Sequence, residues 1–152
     1  MHGARVIVIA SSDERLARAE ALGASGLVNY RKTPQWSDEV TALTRGRGVD
    51  HIVDTVGDLD QAVACLATGG LISLIGYTGQ MALDAKAAPA YRYSADVIST
   101  LLRNVRLQGI SAAPRESMEA MFRAIEMNGL KPVIDSTFPF AAAKDAFAKL
   151  EA

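Results

Sequence analysis

Two adjacent serines, Ser11 and Ser12, followed by Arg15, have types and spacing that could hold a ligand. Serine hydroxyls, the free amides at a helix start and a guanidinium converge on an anion. They suit a phosphate better than a pair of ribose hydroxyls, which an Asp or Glu would hold. Asp13 and Glu14 stand close by, but in the first turn of a helix the dipole accounts for them. On residue physics alone a second reading stands beside the first: the serines only cap the helix and Arg15 is a solvated charge. Two further stretches end strands in glycine, Thr55-Val56-Gly57 and Ile75-Gly76-Tyr77. Glycine there lets a flat ring or a backbone approach closely, or simply turns the chain.

No residue presents itself as a catalyst. His2 is terminal, and His51 and Asp54 lie inside an apolar run that reads as a strand. An ionised carboxylate at Asp54 needs a partner, which can be purely structural. No serine sits in a nucleophile elbow, and no histidines or cysteine have metal-ligand spacing. The single cysteine, Cys65, excludes an internal disulfide and falls in a helical apolar pattern, as a core residue would.

These residues need elements to position them. The chain has 152 residues, 49% of them hydrophobic, with a net charge of −1. That composition suits one packed domain and gives no sign of a nucleic-acid or membrane partner. No apolar run approaches the ~20 residues of a membrane span, and no secretory leader is evident, so the cytoplasm is the expected location. Val6 to Ile9 is a β-branched run without polar alternation, the pattern of a parallel strand buried on both faces. Ser11 with Glu14 has the spacing of a capping box, and Gly23 the place of a left-handed helix stop. Gly26–Tyr30 reads as a second strand, Ser37–Thr44 as a helix, and Val49–Val56 as a third strand. Leu59, Ala62, Val63 and Leu66 form a helical face closed by Gly69 and Gly70, with a fourth strand from Leu71 to Ile75. Residues 80–93 give no firm pattern. Val97 to Leu102 suggests a short helix, Val105–Ile110 a fifth strand, and Met118 to Ile125 a helix stopped by Gly129. Pro132–Asp135 suggests a short strand and Ala143 to Leu150 a last helix. The alternation predicts an α/β fold of parallel right-handed βαβ units.

Five segments in this order, ARVIVIASSDERLARAEALGA, LVNY, TRGRGVDHIVDTVG, LISLIGYTG and VRLQGIS, resemble the cofactor domain of medium-chain dehydrogenases and reductases. The resemblance is closest to zinc-type alcohol dehydrogenases and quinone oxidoreductases, and PVIDSTFPFAAAKDAFAKLE extends it into their C-terminal region. It implies a Rossmann-type parallel sheet with helices on both faces. The first strand, its glycine-rich turn and the first helix have no counterpart here, nor does the catalytic domain. Residues 1–152 therefore read as a partial NAD(P)-binding domain. The resemblance makes Ser11, Ser12, Arg15 and Tyr30 the site for an NADP 2′-phosphate and adenine. It makes Val56, Gly57, Ile75, Gly76 and Tyr77 a wall beside the nicotinamide, continued by Gly109, Ile110 and Ser111.

The function so implied is the cofactor-binding portion of an NADP(H)-dependent alcohol or quinone oxidoreductase. NADP(H) is expected over NAD(H), hydride transfer to a carbonyl, alcohol or quinone belongs to the parent enzyme, and neither zinc binding nor catalysis is expected of this chain alone. The rival is a non-catalytic remnant that only self-associates. A Rossmann strand order of 3-2-1-4-5-6 would put the strand Arg5–Ile9 beside Val49–Val56 once a central strand is left out. The expectation is that these two close up and pair, and that exposed edges, including Val105–Ser111, drive assembly into a homodimer or larger oligomer.

Overall fold

A computed structural model describes residues 3–55, 58–75 and 97–151. The chain divides into two compact units, Met1–Ala112 and Ala113–Ala152. The described elements of the first are β1 (Ile7–Ala10), α1 (Asp13–Ala21), β2 (Gly26–Asn29), α2 (Trp36–Leu43), β3 (Val49–Asp54), α3 (Leu59–Ala64), β4 (Leu66–Leu74), α4 (Val97–Leu102) and β5 (Arg106–Gly109). The second unit contains α5 (Arg115–Met127), a 3-10 turn at Phe140–Ala142 and α6 (Ala143–Glu151). Pro132–Asp135 is not a strand. Its Val133 and Ile134 are largely exposed, so apolar β-formers alone do not make a strand where no neighbour supplies a ladder.

Every described ladder is parallel, and helices flank the strands, as an α/β fold of the Rossmann type requires. β1 pairs with β2 in one sheet, and β3, β4 and β5 follow one another in a second. Ser12 is the N-cap of α1, and its Oγ accepts from the Arg15 N–H at 3.4 Å. This corrects the capping box. Three residues after the true cap comes Arg15, so Glu14 cannot reach back, and Ser11 is left outside the helix. At the other end Gly23 has φ of 99°, its N–H donates to Glu20 and that of Ala24 to Ala19, which is a Schellman stop.

Gly69 and Gly70 do not close α3. They lie within β4, which already begins at Leu66. Leu66 pairs with Val49, the register then shifts, and pairing resumes at His51 with Leu71. Leu66 and Ala67 fit a helical or an extended pattern equally, and the ladder with Val49 decides for the strand.

Two apolar clusters hold the first unit together. Leu59, Ala62 and Val63 of α3 pack with Leu66 and the fully buried Ile72 of β4. Val28 of β2, Val40 of α2 and Cys65 form the other, and Ile7, Ile9, Val49 and Ile52 pack against it. β1 and β3 therefore meet the same cluster from different sheets but do not pair with each other, which overturns the expected closure.

Candidate cofactor site

Residues beyond the carboxyl ends of parallel strands are where such folds hold ligands. At the end of β1 stand Ser11 and Ser12, then the first turn of α1. The Arg15 guanidinium folds back so that Nη1 donates to Ser11 Oγ at 3.4 Å. Tyr30 follows β2 directly, held there by its N–H donating to the Ala10 carbonyl at 3.1 Å, with its side chain partly exposed. The fold thus brings Ser11, Ser12, Arg15 and Tyr30 to one end of the β1–β2 pair.

The carboxylates beside them are already engaged. Asp13 accepts from Asn29 Nδ2 at 2.7 Å and forms an ion pair with Lys32. Lys32, then Asn29, hold its carboxyl below the usual carboxylate range. Glu14 pairs with Arg18 at 2.8 Å. Each of the two acids in the first turn thus has a basic partner, and Arg15 adds a further positive charge beside Ser11. That balance, with the helix amides, favours an anion over a hydroxyl pair. Sequence reasoning missed Asn29 and Lys32. The available signal was their place, at the end of β2 and just after it, opposite the start of α1.

The second sheet ends level. The Ile75 N–H donates to the Asp54 carbonyl and the Ile110 N–H to the Leu74 carbonyl, both at 2.9 Å. Ile75 is 48% exposed and Ile110 46%, so two apolar side chains lie open at the strand ends, beside Gly109 and Ser111. Val56, Gly57, Gly76 and Tyr77 lie outside the described residues.

The remaining reactive groups have structural uses. His51 Nε2 lies 2.8 Å from Ser73 Oγ, linking β3 to β4. Cys65 is buried, which pushes its thiol up to about 11, far from a thiolate nucleophile at neutral pH. Among the described residues no group of three or more His, Cys, Asp or Glu side chains could hold a metal ion.

Residues 1–127 match the family model described as zinc-binding dehydrogenase. The chain belongs to this family. A zinc-type alcohol dehydrogenase-like protein of Schizosaccharomyces pombe is 36% identical over 147 residues, covering 95% of this chain and 41% of that protein. The solved structure of an NAD-dependent alcohol dehydrogenase is 33% identical with a TM-score of 0.79, covering 98% of this chain and 41% of the other. That of the quinone oxidoreductase from Thermus thermophilus, solved also with NADPH, is 26% identical with a TM-score of 0.70, covering 96% and 45%. The chain spans about two fifths of the length of these relatives. It corresponds to the cofactor-binding portion of a family of nucleotide-dependent oxidoreductases. The zinc in the family's name finds no ligand set among the described residues.

Proposed function

We propose that this chain binds NADP(H) for an alcohol dehydrogenase or quinone oxidoreductase, with Ser11, Ser12 and Arg15 taking the 2′-phosphate and Tyr30 lying along the adenine. The observation that carries the reading is the Arg15–Ser11 hydrogen bond at the start of α1, next to an Asp13 neutralised by Lys32. A 2′-phosphate brings the charge that this corner is short of, whereas a ribose diol would need the carboxylate that Lys32 has taken. Ile75 and Ile110, with Gly109 and Ser111, offer an apolar wall on which a nicotinamide ring can rest. The bound nicotinamide would supply hydride chemistry. The residues of this chain bind and orient it, while acid–base chemistry and the choice of carbonyl, alcohol or quinone lie elsewhere, so the chain alone is inactive. The proposed setting is the cytoplasm. Among the described residues no helix is long and apolar enough to cross a membrane.

Calorimetric titration with NADPH and NADH tests the coenzyme reading. NADPH should bind more tightly, and Arg15→Glu should erase the difference, a loss of about 1.5–3 kcal/mol for a hydrogen bond to a charged group. Equal affinity of the unaltered chain for both coenzymes overturns the assignment.

A further inference from the structure

Asn29 is the last residue of β2, and both ends of its side-chain amide are engaged. Nδ2 donates to Asp13 Oδ1 at 2.7 Å, across to the first residue of α1. Oδ1 accepts from the Arg31 N–H at 3.1 Å, which closes a turn with Tyr30 at its centre. The Asn29 carbonyl accepts from the Lys32 N–H at 3.0 Å and the Thr33 N–H at 2.9 Å, so the chain beyond Tyr30 is tied to the same residue. The partners leave the amide one orientation. Turned over, its oxygen would face the Asp13 carboxylate and its nitrogen the Arg31 N–H, two repulsive contacts in place of two hydrogen bonds.

This one side chain therefore joins the start of α1, where Ser11, Ser12 and Arg15 stand, to the turn that carries Tyr30. Lys32 also reaches Asp13, at Oδ2, but both of those side chains are largely exposed. An exposed ion pair on a long flexible stem contributes charge and little position. The Asn29 amide is short, planar, half-buried and carried on a strand, so it contributes position and no charge.

We infer that Asn29 is a positioning residue of the coenzyme site, holding the Tyr30 turn against the Ser11–Ser12–Arg15 corner so that the adenine and the 2′-phosphate of one coenzyme meet both. The inference rests on the NADP(H) reading above. It separates two roles. Asn29 sets a spacing that every adenine coenzyme meets, whereas Lys32 sets a charge that only the 2′-phosphate feels. A neutral replacement of Asn29 then weakens NADPH and NADH alike and leaves the preference between them in place.

The test titrates the full chain with NADPH and NADH by calorimetry. Asn29→Ala should weaken both coenzymes by about tenfold, the order of a lost hydrogen bond to a charged group, and keep their ratio. Lys32→Gln should weaken NADPH alone. Asp13→Ala breaks the Asn29 link from its exposed end, so NADH should again lose about tenfold, and this variant carries the comparison should Asn29→Ala fail to fold. In the free chain the Asn29 Nδ2 protons should resonate downfield and move back in Asp13→Ala, a signature that needs no coenzyme. Three results would each overturn the inference and leave the coenzyme reading standing: unaltered affinity for both coenzymes in Asn29→Ala, a loss confined to NADPH, or an Asn29 resonance that Asp13→Ala does not move. Absence of saturable binding of either coenzyme to the unaltered chain overturns the coenzyme reading, and this inference with it.

Discussion

Lys32 contributes its charge to the site through Asp13. The ion pair and the Asn29 hydrogen bond lower the Asp13 carboxyl below its ordinary range. A carboxylate lowered on folding stabilises the native state above its unfolded value, and that contribution fades as the pH falls through the lowered value. Lys32→Gln should therefore move the Asp13 titration, followed by carboxyl NMR, back up towards the usual carboxylate range. It should also weaken NADPH, because Asp13 then faces the phosphate without compensation. A titration unmoved by the substitution would show that Lys32 does not set the charge at this corner. The closeness of Ser11, Ser12 and Arg15, one half of the proposed site, was legible in the sequence because they lie within five residues of one another. The Asp13 half was not: its partners lie 16 and 19 residues away and reach it only because β2 runs parallel to β1.

Two glycines on either side of the third crossover separate backbone conformation from packing. Gly48 has φ of 82°, and a Cβ there would stand 2.7 Å from the Cys65 carbonyl oxygen and 2.8 Å from the Ala67 nitrogen. Gly69 has a similar φ of 76°, but a Cβ there would meet nothing within 4 Å. Urea unfolding should thus find Gly69→Ala destabilised by about 1 kcal/mol, the conformational term alone, and Gly48→Ala by about 2–4 kcal/mol, because backbone must also move. Equal losses would mean that the close approach at Gly48 relaxes freely. The same region shows how sequence reading fails at the level of elements. A glycine pair after an apolar helical face looks like a helix stop. Here α3 ends at Cys65 without glycine, and the pair sits inside an irregular strand whose start was chosen by pairing with Val49.

At the scale of the molecule, unalternated β-branched runs separated by amphipathic helices were enough to read parallel βαβ units and their order. The division into two sheets was not readable, because strand spacing along the chain is the same whether or not neighbouring units touch. β5 stands at the outer end of the three-stranded sheet. β5 is exposed along its length, and since Ile110 faces β4, Leu107 and Gly109 turn their backbone groups outward. We propose that two copies pair across β5 in a two-fold dimer. Light scattering at micromolar concentration should give a dimer, and Leu107→Pro, which removes an outward N–H while leaving the β4 ladder intact, should give a folded monomer. A monodisperse monomer for the unaltered chain would refute the pairing.

The separateness of β1 and β2 from the other sheet also has a consequence in time. The link from Val6 to Ser25 closes a loop of 19 residues, whereas that from Gly69 to Arg106 spans 37. Each doubling of loop length adds about 0.6 kcal/mol of closure entropy, so the shorter unit has the smaller barrier to nucleation. It is also synthesised before β3, β4 and β5, and it needs no residue beyond Tyr30 to complete its ladder. Val28 of β2, joined by Val40 of α2, then offers apolar surface on which Val49 and Ile52 of β3 condense, and Cys65 completes the cluster. Arg103, whose Nη1 reaches the carbonyls of Val63, Ala64 and Leu66, fastens the last crossover. In folding kinetics Val28→Ala should mainly slow folding, with φ of about 0.5 or more, and Arg103→Met should mainly speed unfolding, with φ near zero. The reverse ranking would place the nucleus in the larger sheet and make β1–α1–β2 the late arrival.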